Sequence, residues 1–519
     1  MRDISQEQNL RRTRGGSSSP RNFFACPPTR ERGRSTTYDT IVVGTGVGGS
    51  VTAALLANAG LHTLVIEKNR ALGGVLASYE REGFKLDFGS HLIACGERGA
   101  LGHALQRAGI GRPRFLTHPI PVRSRGMFEI TAPEHRRGLP AVALAAVRQL
   151  GLTASESARL ARMMFHVFTL TEWELRRWDH RTLDQFVREY TDHPGAYFLF
   201  SFLASIFYVL PPWQVSAGEA IRGLRAVLGA YQLSYVEGGM DSIAHSLLEC
   251  VVAAEGDIVI DQRVDLIRRR GETIVVVTED GTEYTAPVVA CNMAPADLVE
   301  IVDGALPDEY LARALGVRGS GNAHQVKLAL SRKLVDEGCL IAGVSLSGKT
   351  LADLSIDLMR DTVSSIEEGR VSDPIAIYAP VPTNYEPSLA PEGGQLIVAS
   401  IYGPVCDMPA DGTRVWREHA MAALRSIIPG LDDALVFSEF TPIRAVAGWM
   451  GKGNRGAICN GQFPDQVGRD RLPCATPIAG LYIVGDGAGG RGIGTELAAA
   501  SAMEAVDAIL QARAQRRAA

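Results

Sequence analysis

The chain has 519 residues, which is room for two to three domains at roughly 150 residues each, and a chain of this length can bury a large core without a disulfide or metal. Hydrophobic residues make up 46% and charged residues 21% of the sequence, and the mean hydropathy is +0.04, which excludes a disordered tail protein and a multi-span membrane protein. Lys and Arg total 53 against 57 Asp and Glu, a net charge of −4, so the chain lacks the basic field that nucleic-acid binding requires.

Residues 1–37 differ in composition from everything that follows. They contain eight Arg against three acidic residues, together with the run Gly15-Gly16-Ser17-Ser18-Ser19-Pro20. Such a stretch buries too little apolar surface to offset the entropy lost on ordering. We predict a disordered N-terminal extension. An organellar targeting segment is the alternative, because the excess of Arg and Ser also suits a transit peptide.

The βαβ pattern that follows is the first strong motif. A β-branched run at 38–43 leads into Gly44-Thr45-Gly46-Val47-Gly48-Gly49, a helix is predicted over 50–59, and a second strand at 63–66 ends at Glu67. A GxGxxG turn between a strand and a helix, with an acidic residue after the next strand, is typical of dinucleotide-binding domains.

Each glycine of this motif has a physical role, and so does the acidic residue that follows the second strand. Gly44 permits the tight turn, Gly46 lets the backbone approach a pyrophosphate, and Gly49 lets helix and strand pack closely. The N-terminus of the helix offers free N–H groups to that anion. Glu67 lies where a carboxylate accepts the hydroxyls of an adenosine ribose, which argues against a 2′-phosphate and hence against NADP.

The segment beyond Glu67 favours FAD over NAD. A Gly73-Gly74 pair follows, and residues 83–91 predict a strand and a second glycine turn. An NAD domain has no need of this extension, whereas a dinucleotide with a flavin to seat does. We predict FAD bound without a covalent link, because neither Cys459 nor Cys474 lies in an attachment motif.

The apolar run at 196–210 is the longest in the sequence, and it contains two serines and stops at Pro211. It is shorter than the roughly 18 residues that a membrane-spanning helix needs. We interpret it as a buried helix, with an interfacial or substrate-tunnel helix as the alternative. Contact with a membrane surface therefore stays open.

Three separated segments resemble the flavin-containing amine oxidase superfamily, in particular its phytoene desaturase and retinol saturase branch. Residues 44–74 look like its N-terminal signature, Asp87-Phe88-Gly89-Ser90-His91 is similar to its D-x-G-x-H stretch, and 477–495 is similar to its C-terminal signature. Weaker similarity between these segments extends the resemblance over residues 38–515.

The resemblance implies an α/β fold, in which a Rossmann-like FAD-binding domain of the glutathione reductase kind carries an inserted α+β substrate domain. The FAD-binding domain is predicted from residues 38–97, 234–297 and 441–519. The substrate-binding domain, with a helical cap, is predicted from residues 98–233 and 298–440. Large apolar side chains in the first of these substrate segments suit an apolar pocket over the flavin.

The motifs and the resemblance together give a set of cofactor-binding residues. In the family, the acid matching Asp486 holds a ribityl hydroxyl, and the residue matching Val264 packs near the adenine. The predicted set is Gly44, Gly46, Val47, Gly48, Gly49, Glu67, Lys68, Gly73, Gly74, Ser90, Val264, Gly485, Asp486, Gly494 and Thr495. Residues 487–492 lack the His-Pro-Gly sequence of bacterial carotenoid desaturases, which leaves carotenoid specificity unsupported.

Three residues are candidates for catalysis, and all three depend on the resemblance. His91 lies in the turn that adjoins the flavin in the family, and an imidazole titrates near neutrality, so it is the candidate proton donor or acceptor. A structural histidine is the alternative. Arg444 and Lys452 lie in a loop that is similar to the family segment reaching the other face of the flavin.

We predict an FAD-dependent oxidoreductase that desaturates or saturates a C–C bond of an apolar, isoprenoid- or polyene-like substrate by hydride transfer at flavin N5. Two alternatives stay open: an amine oxidase, which needs an aromatic cage and a lysine near N5, and a redox-neutral flavin-dependent isomerase. The predicted partner is an apolar small molecule, with no nucleic acid and no metal. The eight cysteines form no CxxC pair, which indicates free thiols and a cytoplasmic protein, with peripheral membrane contact as an option.

Overall fold

The computed structural model describes residues 36–89, 92–404, 412–451 and 459–518. The helices in these ranges are α1 (Val47–Asn58), α2 (Ala100–Arg107), α3 (Leu139–Gln149), α4 (Ala154–Thr169), α5 (Glu172–Trp178), α6 (Leu183–Arg188), α7 (Pro194–Tyr208), α8 (Ala217–Ala230), α9 (Asp241–Ala253), α10 (Pro295–Ile301), α11 (Asp308–Leu315), α12 (Ile356–Glu367), α13 (Pro382–Tyr385), α14 (Gly412–Ile427), α15 (Leu431–Ala434), α16 (Ile443–Met450) and α17 (Gly494–Ala518). Residues 1–35 of the predicted N-terminal extension lie outside the described residues.

The strands in the same ranges are β1 (Thr40–Val43), β2 (Thr63–Ile66), β3 (Ser78–Arg81), β4 (Phe84–Asp87), β5 (Phe115–Leu116), β6 (Arg123–Gly126), β7 (Tyr235–Val236), β8 (Asp257–Val259), β9 (Val264–Arg270), β10 (Thr273–Thr278), β11 (Glu283–Ala286), β12 (Val288–Cys291), β13 (Val302–Asp303), β14 (Asn322–Leu330), β15 (Cys339–Val344), β16 (Ile375–Pro380), β17 (Gln395–Gly403), β18 (Leu435–Thr441) and β19 (Leu481–Ile483). Among the described helices, none is both long enough and apolar enough to cross a membrane.

A parallel five-stranded sheet, in the order β19-β12-β1-β2-β8, joins distant parts of the chain. Its inner strands are buried along their whole length, as expected for a parallel sheet that is covered on both faces. Val42 faces a core formed with α1, α9 and α17, whereas Ile41 and Val43 face the four-stranded sheet β11-β10-β9-β13. This is the Rossmann-like α/β architecture that the sequence predicts.

The βαβ unit differs from its prediction at the helix boundary. Helix α1 begins at Val47, not at Ser50, and so takes in the last glycines of the GxGxxG motif. The second strand matches its predicted range, Thr63–Ile66. The strand in the C-terminal motif spans only Leu481–Ile483, because a turn at Gly480 precedes it and the backbone turns again at Gly485.

A six-stranded, mostly antiparallel sheet, in the order β18-β14-β17-β16-β15-β6, builds the second large core. Helix α14 covers one face of this sheet with the fully buried Trp416. The helices between α4 and α8, with α12, form a further apolar core. The second sheet and α7 thus stand opposite the carboxyl edge of the parallel sheet, and the candidate site lies between them.

Candidate functional site

One cavity of about 1020 Å³ runs between the parallel sheet, the six-stranded sheet and α7. Small-molecule and cofactor sites typically occupy roughly 300–1,000 Å³, so this cavity is at the upper end of that range. One end is lined by the glycine turn after β1, and the other by aromatic and aliphatic side chains. Its size and its two chemically different ends suit a dinucleotide together with an apolar molecule.

The glycine turn forms the first end of the cavity. Gly44 has a φ of +90°, a backbone conformation that favours glycine, and the chain then enters α1 at Val47. Residues 44–48 line the cavity. The free N–H groups at the start of a helix attract an anion, so this end fits a pyrophosphate.

The two glycine-rich motifs meet at this turn. A Cβ placed on Gly48 would lie 2.7 Å from the backbone N of Gly485, and one placed on Gly49 would overlap the carbonyl oxygen of Gly44. The backbone N–H of Val484 donates to the carbonyl of Cys291 at 2.9 Å, which fixes the C-terminal segment to the same sheet edge. The N-terminal and C-terminal motifs therefore border one cavity.

Asn292 is a residue of this site that the sequence analysis did not single out. It follows β12 and lines the cavity, and a Cβ on Gly46 would lie 2.5 Å from its Nδ2. A Cβ on Gly48 or on Gly485 would lie 2.6 Å from its Oδ1. Its position at the carboxyl end of a parallel strand was the available signal, since ligands bind at that edge of such sheets.

Glu67 is buried at the end of β2, and its carboxylate is held from three sides. The backbone N–H and the hydroxyl of Thr45 donate to Oε2 at 2.9 and 2.6 Å, and the N–H of Asn69 donates to Oε1 at 2.9 Å. The neighbouring Lys68 donates from Nζ to the carbonyl of Trp449 at 2.7 Å, and burial lowers the pKa of its ammonium group. Both residues line the cavity, so a carboxylate in a fixed orientation is available to a ribose.

Asp486, in the C-terminal motif, lines the cavity. Its Oδ2 accepts from the backbone N–H of Asn460 at 2.9 Å, and its carbonyl accepts from Arg471 at 2.8 Å. Helix α17 begins at Gly494, and Gly494 and Thr495 line the cavity. A second helix N-terminus thus faces the cavity.

The fifteen predicted cofactor-binding residues fall into three groups. Gly49, Gly73 and Gly485 lie behind the cavity wall, and Ser90 lies outside the described residues. The remaining residues line the cavity: Gly44, Gly46, Val47, Gly48, Glu67, Lys68, Gly74, Val264, Asp486, Gly494 and Thr495.

Of the three predicted catalytic residues, the structure describes only the backbone of Arg444. His91 and Lys452 lie outside the described residues, as does the side chain of Arg444. The prediction that Arg444 lies in a loop is wrong, because Ile443–Met450 forms helix α16. Pro442 directly precedes this helix, where its fixed φ suits a helix start.

Trp449 anchors the end of α16 against the segments around Gly74 and Phe88. Its indole Nε1 donates to the carbonyl of Gly74 at 3.2 Å, and its ring lies 4.8 Å from that of Phe88. Trp449 itself lines the cavity. The segment around Arg444, which resembles the family segment that reaches the flavin, therefore contributes to the wall of the cavity through Trp449.

The opposite end of the cavity is apolar. Helix α7 contributes Phe202, Ile206 and Phe207, and the six-stranded sheet contributes Ile377, among other side chains. Part of α7 is also buried in the core of the helical region. One side of this helix is thus buried, as predicted for the apolar run at 196–210, and its other side lines the cavity. An interfacial or substrate-tunnel role stays a prediction.

Two buried acceptors in the cavity wall have no hydrogen-bond partner among the described residues. They are Oε1 of Gln262, beside Val264, and Oε1 of Gln325 on β14. A buried polar atom without a partner costs free energy, so each is a place where a ligand N–H or O–H is stabilising. The predicted FAD fits this wall, which offers anion-binding turns at one end and an acceptor near each end.

Lys327, two residues after Gln325, is fully buried behind the wall. Its ammonium group donates to the hydroxyl of Tyr79 at 2.9 Å and lies 3.9 Å from Glu439. Burial lowers the pKa of this lysine from 10.5 to about 8. Among the described residues that line the cavity, the one lysine is Lys68, which lies at the glycine-turn end.

Replacing Lys327 by methionine is expected to stabilise the protein at pH 7. Below pH 8 both the folded and the unfolded state hold the proton, and the folded state bears the cost of a buried charge. Between about pH 8 and 10.5 only the unfolded chain holds it, so the stability of the wild type rises with pH across this window. Urea unfolding at pH 7 and at pH 9.5 measures both effects, and the Lys327→Met variant should lose the rise.

The exposed Lys333 offers a matched control, because Lys333→Met removes a charge that is already solvated. This control should leave stability and its pH dependence unchanged. A Lys327→Met variant that is less stable than the wild type at pH 7 would contradict the prediction.

Comparison with known proteins agrees with the resemblance to flavin-dependent enzymes. A family model described as flavin containing amine oxidoreductase matches residues 47–510. The chloroplastic prolycopene isomerase of Arabidopsis thaliana is 24% identical over 500 residues, which is 88% of this chain and 80% of that protein. The 4,4'-diapolycopene oxygenase of a Methylomonas species is 24% identical over 488 residues, which is 86% of this chain and 93% of that protein.

A solved structure supports the fold. The crystal structure of an oxidoreductase from Methanosarcina mazei superposes with a TM-score of 0.66 over 90% of this chain and 99% of that one, at 18% identity. Together with the family match, this confirms the predicted fold class and the resemblance on which the flavin assignment was based.

Proposed function

This chain belongs to the flavin containing amine oxidoreductase family, and from this premise we propose that it is an FAD-dependent enzyme that removes hydrogen from, or adds it to, a C–C bond of an apolar substrate. The observation that carries the proposal is the single cavity that joins the glycine turns to an apolar wall. The family accounts for the flavin and for oxidoreductase chemistry. The cavity wall is the argument for an apolar substrate.

The described residues hold FAD in this proposal. Backbone N–H groups at the start of α1 bind the pyrophosphate, Glu67 binds the adenosine ribose, and Asp486 binds the ribityl chain. Val264 and Gln262 border the adenine. Bound FAD accepts or donates a hydride at N5, and the protein places the reacting carbon and excludes water.

We propose that the FAD is held without a covalent bond. Cys474 is buried against Ser501 in the core, away from the cavity wall, whereas Cys459 lines the cavity and lies 3.4 Å from the hydroxyl of Ser320. Denaturation with acid distinguishes the two cases. Non-covalent FAD is expected in the supernatant, and yellow colour in the precipitated protein would mean covalent attachment.

The apolar end of the cavity supports a substrate of isoprenoid or polyene type. Aromatic and aliphatic side chains from α7 and from the six-stranded sheet bury apolar area, which is the main source of affinity for such a molecule. The names of the two relatives above include prolycopene and 4,4'-diapolycopene. A hydrocarbon substrate suits a cavity of about 1020 Å³ whose lining at one end is largely apolar.

The proposed reaction moves a hydride at one carbon of the C–C bond, and the other carbon needs a proton donor or acceptor. His91 is the candidate, and Arg444 and Lys452 are further candidates, so these roles stay predictions. A His91→Ala variant that keeps its FAD but loses turnover would support the assignment. The same loss of FAD in this variant as in a Glu67 variant would remove His91 from the catalytic group.

A redox-neutral isomerase is the second candidate function, and the name of the Arabidopsis relative favours it. An amine oxidase stays the other alternative; Lys68, the one lysine in the described part of the cavity wall, lies at the dinucleotide end. The cytoplasmic location stays a prediction from the sequence. Peripheral contact with a membrane stays an option from the sequence.

Anaerobic mixing of the FAD-loaded enzyme with isoprenoid, acyl and amine substrates tests the proposal. Bleaching of the oxidised flavin absorbance by the more saturated member of a substrate–product pair, which loses two hydrogens to the flavin, is the expected result for a desaturase. A saturase is expected instead to reoxidise pre-reduced flavin on addition of the unsaturated substrate. Product formation without net change in flavin oxidation state would select the isomerase, and reduction by amines alone would overturn the proposal.

A further inference from the structure

A second cavity, of about 430 Å³, lies on the other side of the turn that carries Asp486. Helix α11 and residues 460–472 contribute to its lining, in which Val317 and Leu472 are the apolar side chains. Its volume is within the range of small-molecule sites, but its polar lining does not suit a hydrocarbon. We propose that this cavity, the anion pocket, binds the phosphate or carboxylate group of a small molecule.

Arg471 is the most buried charged side chain that lines the anion pocket, with 9% of its surface exposed. Its guanidinium group donates to the carbonyl of Asp486 and to Oε1 of Gln462, each at 2.8 Å. Both acceptors are neutral, and Arg471 forms no ion pair with a described carboxylate. A buried charge is normally paired, because its desolvation is costly. An anion in the pocket would supply the missing counter-charge.

Arg313, in the last turn of α11, lines the same pocket. Its Nη2 donates to the carbonyls of Asp470 and Arg471, at 3.2 and 3.1 Å, and it too lacks an ion pair within the described part of the chain. A third arginine, Arg469, is exposed and lies 3.9 Å from Asp470. Guanidinium groups bind phosphates and carboxylates through paired N–H groups, so two of them with only neutral partners favour an oxyanion.

The side-chain amide of Asn460 adds a donor to this set. Its Nδ2 is buried and has no hydrogen-bond partner among the described residues. Asn460 lines the anion pocket beside Gly487, where an added Cβ would lie 3.3 Å from that nitrogen. An unpartnered buried donor costs free energy, which an oxygen of the ligand would recover. The guanidinium groups and this nitrogen can only donate, so the ligand group must accept.

Three acidic side chains also line the anion pocket. Two of them have nitrogen partners: Asp465 pairs with Arg318, and Asp470 lies 3.3 Å from Nδ1 of His180. The third, Glu309, is exposed to solvent, which screens its charge. These acids therefore leave the two guanidinium groups available to a ligand.

The anion pocket and the large cavity lie on opposite sides of one turn. Asp486 lines the large cavity, Gly487 lines the anion pocket, and the described linings have no residue in common. The backbone N–H of Asn460 donates to the carboxylate of Asp486, and Arg471 donates to its carbonyl. A ligand in the anion pocket would thus contact two residues that support the wall of the large cavity without entering that cavity. The anion site does not rest on the proposed reaction.

Isothermal titration of the FAD-loaded, full-length protein tests the site, with pyrophosphate and citrate as the probes. Bound FAD keeps the probes away from the glycine turn of the large cavity. Salt at about 0.15 M screens exposed charges and so suppresses unspecific binding. We expect at least one probe to saturate a single site per chain. Saturation by pyrophosphate alone would assign the pocket to a phosphate group, and saturation by citrate alone would assign it to a carboxylate.

Arg313→Gln should weaken binding of that probe by about tenfold or more, because a hydrogen bond to a charged group is lost. Arg313→Lys should weaken it less, since lysine keeps the charge but not the paired N–H groups. Glu309→Gln should tighten binding by about twofold, because it removes a negative charge that repels the anion.

Arg417→Gln is the matched control. Arg417 is exposed on α14, donates to the neutral hydroxyl of Ser438 and lies outside the anion pocket, so this variant should bind as the wild type does. Retained FAD absorbance shows that each variant is folded. A wild type that saturates with neither probe, or equal binding by Arg313→Gln and Arg417→Gln, overturns the proposal. If Arg313→Gln does not fold, Glu309→Gln decides: tighter binding supports the site, and unchanged binding overturns it.

Discussion

The Gly49→Ala variant is expected to lose FAD and to be destabilised by about 3 kcal/mol, at the upper end of what overpacking costs. A Cβ at this position would overlap the carbonyl oxygen of Gly44. That oxygen belongs to the backbone of the turn, which is held at a φ of +90° and cannot give way as a side chain can. The turn and the start of α1 must therefore separate, and the N–H groups that face the pyrophosphate lose their alignment.

Gly229→Ala is the matched control for this prediction. Gly229 lies in α8 with open space around its Cα, so alanine there should be neutral or stabilising by up to about 1 kcal/mol. Urea unfolding and the ratio of flavin to protein absorbance after gel filtration measure both variants. A Gly49→Ala protein that keeps its FAD would show that the contact between α1 and the turn is not needed for binding.

The second prediction concerns Glu67. Replacing it with alanine should weaken FAD binding by about 30-fold or more, because a hydrogen bond to a charged group contributes about 1.5–3 kcal/mol and two ribose hydroxyls lose their acceptor. Titration of the apoprotein with FAD, followed by the quenching of flavin fluorescence, gives the dissociation constant directly. Glu249→Ala, at an exposed position of α9, should bind FAD as the wild type does.

Thr45 allows the origin of this effect to be resolved. Its hydroxyl and N–H both donate to Glu67, so the carboxylate also holds the turn together. If Glu67 acts on the ribose, Thr45→Val should weaken FAD binding much less than Glu67→Ala. Equal losses in the two variants would mean that Glu67 acts by supporting the turn.

The parallel sheet and its two glycine motifs could be predicted from the sequence because their signals are local. A β-branched strand, a glycine turn and a helix lie within about thirty residues of one another, and the acid after the second strand is at a fixed spacing. The helix at 443–450 was missed because the segment was assigned to a loop from the resemblance alone. Asn292 was missed for another reason, since its place between Gly46, Gly48 and Gly485 exists only after distant strands have paired.

For the substrate end of the cavity, the sequence predicted only that the region is rich in apolar side chains. Aromatic residues between 163 and 208 indicated an apolar region, but the sequence did not distinguish those that line the cavity from those in the core or on the surface. Phe202 and Phe207 line the cavity, whereas Phe165 and Phe168 are exposed. Only the three-dimensional packing of α4 and α7 separates these roles.

The meeting of Gly48 with Gly485 has a consequence for the life of the protein in a cell. A molecule bound there touches both the beginning and the end of the folded chain, and so acts as a removable tie between them. Ligand at a hundred times its dissociation constant adds about 2.7 kcal/mol to the free energy of unfolding. Vitamin supply would then govern not only how fast this enzyme works but how much of it survives proteolysis, and riboflavin-starved cells should contain less of the polypeptide itself.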